Sequence, residues 1–524
     1  MNQNTFDTFA RRTATLLDRR SLCGGVSAAL VSIAGWPLAA KAKPTHKPER
    51  RKETIMTVAT LPLTSRATAA ASDPIATLRG QLLGQLITPD DPDYDEARHT
   101  IYVAIDRRPR CIVRVADAED VVTAVSFARE HDLPLAVRSG GHSLAYYSVI
   151  DDALVVDFSE MKRIRLDAPS ATARVQPGAT SGDLAHLANA NGLALTTGDT
   201  QSVGFGGLTT GGGIGFMVRK YGLTIDNLRS AQVVTADGAI VTASAEEHPD
   251  LFWAIRGGGG NFGIVTEFTF DLAPVDQILG GELILPATRE VRRGYLDYVA
   301  TAPDDLTTIA NLMYSPPAPH VPPEQAGKLG LSILVCWSGD RAAGEDAVAS
   351  LRALGTPLAE AIAPMPHAAI YQFTAHQAEP HAASIRMMFA DDLSDETLDA
   401  MLAALQNASS PFSLVQFRGL GGAMARVPED ATAFAHRQRR YFVAVIGLWL
   451  DPTEDAAPHQ AWTAALWEQV RHEGRGVYVN FLEEEGPERI HEAYPPATYA
   501  RLAEIKQTYD PENLFHFNQN VPPR

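Results

Sequence analysis

Three glycine-rich segments hold the residues best suited to chemistry. The first is Arg138-Ser139-Gly140-Gly141-His142-Ser143. Two adjacent glycines let the backbone turn sharply and offer consecutive N–H groups to an anion, while the histidine projects a nitrogen nucleophile from the same turn. That combination suits a phosphate-bearing cofactor; the plainer reading is a tight turn with a satisfied histidine. The second segment, TTGDTQSVGFGGLTTGGGIGF, runs from Thr196 to Phe216. Glycine at this density costs backbone entropy and calls for positive φ angles or close approach to a bound molecule. Its spacing is not that of the strand-turn-helix dinucleotide fingerprint. The third is RGGGGNFGIVTEFTF, Arg256 to Phe270. One extended ligand lying across all three is a simpler account than three unrelated turns.

The elements that must position these turns follow from the hydrophobic period. Strands are expected at Cys111 to Val115, Leu133 to Val137, Leu154 to Phe158 and Ala173 to Gln176. Helices are expected at Ala118 to Glu130 and at Ser181 to Asn191, the latter with Ser181 as N-cap. Ala231 to Thr235 and Ala239 to Thr242 flank the turn Ala236-Asp237-Gly238 as a hairpin, and His248 to Ile255 reads as a helix. This alternation implies an α/β or α+β domain. From Asp276 to Val470 glycines thin out, and strands such as Leu329 to Val335 mix with helices such as Ala342 to Leu354. A helix from Tyr499 to Thr508 precedes the closing turn Asp510 to Asn513.

Composition narrows the function classes. The 524 residues suit more than one domain, and a net charge of −17 argues against nucleic acid or an anionic membrane surface as partner. Cys23, Cys111 and Cys336 are too few for a disulfide framework or a cysteine-rich metal site. Nothing in the sequence sets an oligomeric state. Arg19-Arg20-Ser21-Leu22, the apolar run Val26 to Leu38 and Ala40-Lys41-Ala42 read as a twin-arginine export signal over residues 1–42, followed by a linker over 43–74. Export would place the protein in the periplasm or outside the cell. The other reading, an extension ahead of a true start at Met56, leaves it in the cytoplasm.

RSGGHS, VGFGGLTTGGGIG, WAIRGGGGNFGIVTEF and the C-terminal YVNF with YDPENLFHFNQNVPP occur in one order from about residue 95 to Arg524. Together they resemble the berberine bridge enzyme-like flavoproteins of the vanillyl-alcohol oxidase superfamily. The resemblance implies an α+β fold: a two-subdomain FAD-binding domain of the p-cresol methylhydroxylase type (75–275), an α+β substrate domain with an antiparallel sheet (276–470), and a C-terminal segment returning to the first (471–524). It implies FAD, covalently linked at His142, with Arg138, Ser139, Gly140, Gly141 and Ser143 cradling the pyrophosphate. Further cofactor contacts are implied at Thr200, Val203, Gly204, Gly207, Gly211, Gly212 and Gly215, at Gly260, Asn261, Gly263, Ile264 and Val265, and at Tyr478 and Asn480.

Four positions depart from the family pattern or refine it. Thr200 stands where doubly linked members have cysteine, so a single link is implied. Tyr146 occupies a usual glycine position. Phe481 stands where several members have a tyrosine base, leaving Tyr478 as candidate base or as a packing tyrosine. Val203 sits where a small branched residue accompanies oxygen reactivity. The implied function is an oxidase that passes hydride from an alcohol or hemiacetal carbon of a small metabolite or sugar to FAD and then to O2, giving H2O2, with no metal. A dehydrogenase using a quinone or other acceptor, or a flavin-binding protein with little turnover, are the alternatives.

Overall fold

The computed structural model describes residues 74–524, so the expected export signal and the linker up to residue 73 lie outside the described residues. Four sheets organise the described residues. The first joins Gln85–Ile87 (β1), Cys111–Arg114 (β2), Leu154–Asp157 (β4) and Leu135–Arg138 (β3) in the order β1-β2-β4-β3, with β2 and β3 parallel to β4. The helix Ala118–Glu130 makes the crossover between β2 and β3, and Asp117 caps it by accepting from the Asp120 N–H. The Asp120 carboxylate, in turn, accepts from the N–H groups of Leu83, Gly84 and Ala116 at 2.8 Å each, which ties the lead-in segment to this helix.

Ile164–Asp167 (β5), Thr172–Val175 (β6), Leu228–Val234 (β8), Ile240–Ser244 (β9) and Ile264–Asp271 (β10) form an antiparallel sheet in the order β5-β6-β10-β8-β9. Leu193–Ala194 (β7) pairs with Ala273–Pro274 (β11). The expected hairpin is β8–β9. The helix after β6 starts at Ser181 as expected and ends at Asn189, but Thr180, not Ser181, is its N-cap. Its hydroxyl accepts from the Asp183 N–H, and the Asp183 carboxylate accepts from the Thr180 N–H at 2.9 Å. The acid three residues on selects Thr180, because only that position closes both bonds.

The fourth sheet is antiparallel and seven-stranded: Gln277–Pro286 (β12), Leu306–Tyr314 (β13), Leu329–Trp337 (β14), Ala359–Pro366 (β15), Ala382–Ala390 (β16), Leu414–Gly419 (β17) and Tyr441–Trp449 (β18), ordered β15-β12-β14-β13-β17-β18-β16. Strand alternation assigns its faces. Val415, Phe417, Tyr441, Val443 and Val445 share one core with residues of the helices Arg289–Thr301, Arg341–Arg352, Asp395–Gln406 and Ala457–Val470. Ile385, Met387, Phe389, Phe442, Ala444 and Ile446 point the other way, into a core shared with the five-stranded sheet and the second glycine segment. The apolar inner face therefore presses the sheet against the glycine-rich turns. The architecture is the expected α+β fold, with one mixed sheet and the other sheets antiparallel.

Candidate functional site

A cavity of about 380 Å³ lies between the first two sheets, the inner face of the seven-stranded sheet and the C-terminal segment. All three glycine segments reach it. Of the expected residues, Ser139, Gly140, Gly141, His142, Ser143, Thr200, Val203, Gly204, Gly207, Gly260, Gly263, Ile264, Val265, Tyr478 and Asn480 line it. Arg138, Gly211, Gly212, Gly215 and Asn261 lie outside the lining, and the structure gives each local work. Arg138 donates to the Ala97 carbonyl and stands 3.9 Å from Asp157. Gly211, Gly212 and Gly215 make room: a Cβ on them would meet Asn480 Oδ1 at 2.0 Å, Phe434 at 3.0 Å and the Thr197 carbonyl at 1.4 Å. Asn261 donates to the Gly258 and Gln519 carbonyls and accepts from the Val521 N–H, fastening the C-terminal tail to the third glycine turn.

The turn after β3 is held by backbone contact. A Cβ on Gly140 would meet the Gly204 nitrogen at 2.4 Å, and one on Gly204 would meet Ser139 Oγ at 2.2 Å and the Gly140 nitrogen at 2.4 Å. Ser139 Oγ donates to the Pro177 carbonyl (2.6 Å) and accepts from the Gly206 N–H (3.2 Å). His142 emerges from this turn with Nε2 2.9 Å from Ser202 Oγ. Burial, reinforced by the nearby His381, pulls its pKa down to about 4, so the imidazole is neutral near pH 7. Thr200 donates to Gln377 Oε1 at 2.7 Å. Tyr146 adopts φ +60°, a conformation natural to glycine, and packs its ring 6.1 Å from that of Tyr102.

Tyr478 is buried, and its hydroxyl oxygen accepts from the Gly213 N–H (2.8 Å) and from Asn480 Nδ2 (3.0 Å). A base requires a lowered pKa; burial instead pushes Tyr478 up to about 12, against the opposing pull of these two donors and of Arg418. The hydroxyl is thus protonated through the neutral range. His436 and Arg437 serve the structure: His436 Nε2 donates to the Glu492 carbonyl, and the fully buried Arg437 pairs with Asp226 at 2.7 Å.

Several lining residues escaped sequence reasoning. Gln416 and Arg418 rise from β17 into the cavity, and Asp199 faces them from the second glycine segment. Gln416 Nε2 donates to Asn311 Oδ1 at 3.0 Å, Arg418 Nε donates to Gln416 Oε1 at 2.8 Å, and Arg418 NH2 meets Asp199 Oδ2 at 2.7 Å. The guanidinium also lies over the Phe442 and Phe481 rings, 4.6 and 5.4 Å from their centroids. The signal was present: a charge and an amide at alternate positions of the apolar strand LVQFRG fall on one face.

The cleft fits a flavin dinucleotide on two observations. The N–H groups of Gly140, Gly141, His142 and Ser143 find no acceptor among the described residues, which suits an anionic pyrophosphate. At Gly207 a Cβ would meet nothing within 4 Å, and at Gly260 only Asn518 Nδ2 at 4.0 Å, so both leave backbone open to a ligand.

Family comparisons agree with this reading. Residues 109–244 match an FAD binding domain and residues 477–522 a berberine and berberine-like domain. The chain is 32% identical over 461 residues to the uncharacterized FAD-linked oxidoreductase YgaK of Bacillus subtilis (84% of this chain, 98% of that one). It is also 32% identical over 466 residues to (R)-6-hydroxynicotine oxidase of Paenarthrobacter nicotinovorans (84% and 97%). The crystal structure of 6-hydroxy-D-nicotine oxidase from Arthrobacter nicotinovorans superposes with a TM-score of 0.73 at 28% identity, covering 84% of this chain and 98% of that one. The protein belongs to the berberine bridge enzyme-like family of FAD-linked oxidoreductases.

Proposed function

We propose that this FAD-linked oxidoreductase is an oxidase whose flavin is held by one covalent bond, at His142. The observation that carries the reading is a neutral imidazole on a turn of unpartnered N–H groups. In the tautomer that has Nε2–H donating to Ser202 Oγ, 2.9 Å away, Nδ1 is the ring nitrogen left as nucleophile. Residues 75–275 and 471–524 form the FAD-binding part, and 276–470 the substrate part. The Gly140 to Ser143 turn holds the pyrophosphate, and Val203, Gly204, Gly207, Gly260, Gly263, Ile264 and Val265 pack along the cofactor. Thr200, engaged with Gln377, offers no thiol for a second bond.

A flavin bound there would supply the hydride acceptor for a carbon bearing an alcohol or hemiacetal oxygen, and the reduced group would be reoxidised by O2 to give H2O2. The chain orients the substrate, and the hydroxyl proton lost alongside the hydride passes to Asp199, a carboxylate lining the same cavity. Tyr478 is the proposed catalytic tyrosine, acting as a protonated hydrogen-bonding group at the reacting end, because its burial opposes a resting phenolate. The test is anaerobic mixing of the yellow protein with candidate alcohols, followed by air. Bleaching, rapid recovery and one peroxide per flavin turnover support an oxidase. Recovery with a quinone or dye but not with air would make it a dehydrogenase.

A further inference from the structure

The wall of the seven-stranded sheet that faces the cavity is aliphatic. β16, β18 and β17 present Ala383, Ile385, Ile446, Leu448 and Leu414 to the cleft, and Phe481 continues this surface from the C-terminal segment. They form one patch, because Leu414 is registered opposite Ile446, Ile446 opposite Ile385, and Leu448 opposite Ala383. Ala383, Leu414, Leu448 and Phe481 are only half-buried, so the patch still has apolar surface to cover.

The polar groups of the same wall are already engaged. Gln416 gives its amide N–H to Asn311 and its oxygen to Arg418. Arg418 also donates to Asp199 and to the Ile214 carbonyl, and lays its face on two aromatic rings. Asp199 Oδ1 is left beyond the ion pair as an acceptor. A pyranose ring laid on this wall would leave most of its hydroxyls without partners, and each buried unpaired hydroxyl weakens binding severely. An apolar ring would cover the wall without that penalty, while a single donor on it reaches the Asp199 carboxylate.

Resting on the oxidase reading above, but dropping its hemiacetal class and admitting the amine analogue of its alcohol, we infer that the substrate is a compact, largely apolar ring compound bearing one hydroxyl or amine donor at the carbon to be oxidised, and not a carbohydrate. Ile446 and Leu448 select the ring, and Asp199, fixed by Arg418, receives the donor.

The holoprotein is tested against 1-phenylethanol, 1-phenylethylamine and cyclohexanol on one side and cellobiose, maltose and glucose on the other. Two readouts are used: perturbation of the flavin spectrum with the rise in denaturation temperature, and anaerobic flavin bleaching. Ring compounds are expected to bind at least 100-fold more tightly than the sugars, and Leu448→Gln to weaken ring binding at least 10-fold. Sugars that bind or bleach as well as the rings, or no response to any ring compound, would overturn the inference. The oxidase reading is checked separately by reoxidising dithionite-reduced holoprotein in air: slow recovery would sink that reading and leave the binding preference standing.

Discussion

Gly204→Ala tests how the flavin turn is held. The new Cβ would stand 2.2 Å from Ser139 Oγ and 2.4 Å from the Gly140 nitrogen, where ordinary contacts begin near 3.4 Å. Ser139 cannot swing away cheaply, since its hydroxyl bonds both the Pro177 carbonyl and the Gly206 N–H. The two turns must therefore part by roughly an ångström, an overpacking that costs about 1–3 kcal/mol. A misplacement of that size in a reacting group costs about 100-fold in rate, so attachment of flavin at His142 should slow by about two orders of magnitude. Gly207→Ala is the control. Its Cβ meets no protein atom within 4 Å, so the flavin-free fold keeps or slightly gains stability while flavin affinity falls. The assay is the time course of covalently bound flavin after adding FAD to flavin-free protein, with thermal denaturation alongside. Wild-type attachment and stability in Gly204→Ala would refute the reasoning.

Because Tyr478 is pushed up to about 12, the rate of anaerobic flavin reduction should show no inflection from this group between pH 6 and 10; an inflection that Tyr478→Phe abolishes would revive the resting base. Tyr478→Phe itself should slow reduction strongly while leaving flavin attached. His367 and His436, both buried, have pKa values drawn down to about 4 by burial. The unfolded chain binds the extra protons between pH 6.5 and 4, so stability is full above pH 6.5 and falls through that window by up to about 3 kcal/mol per histidine, read by denaturant titration at stepped pH. Lys506, fully buried, donates to the Asn261 and Phe515 carbonyls and to Asp510. Lys506→Met should lower stability by about 3–5 kcal/mol, because it strands a buried carboxylate, and an unchanged melting temperature would contradict that. Ser202→Ala should slow flavin attachment by freeing the His142 ring to take the wrong tautomer, as followed by covalent flavin yield.

The glycine segments and the strands around them were legible because their signals are local. A turn needing open backbone shows as glycine, and a buried strand shows as an apolar run. Asn261 was read as a cofactor contact because it sits within such a turn, yet its amide is used to hold the C-terminal tail. That tail arrives from more than 250 residues away, and no local pattern reports it. The alternation of LVQFRG does mark Arg418 as facing one side of its strand, but its pairing with Asp199 forms only once the seven-stranded sheet folds over the second glycine segment, and no local pattern reports that. At Tyr146 the chain keeps the positive φ of the usual glycine while placing a ring there, a local strain of roughly 1–3 kcal/mol that surrounding contacts must offset.

The proposed chemistry rests on one flavin bond, at His142. The most direct measurement is acid precipitation of the purified yellow protein, proteolysis of the pellet and mass mapping of the flavin peptide. Yellow colour is expected in the pellet and FAD mass on the peptide containing His142, with none on the peptide containing Thr200 and all attachment lost in His142→Ala. Flavin released wholly to the supernatant, or found on another residue, would contradict it.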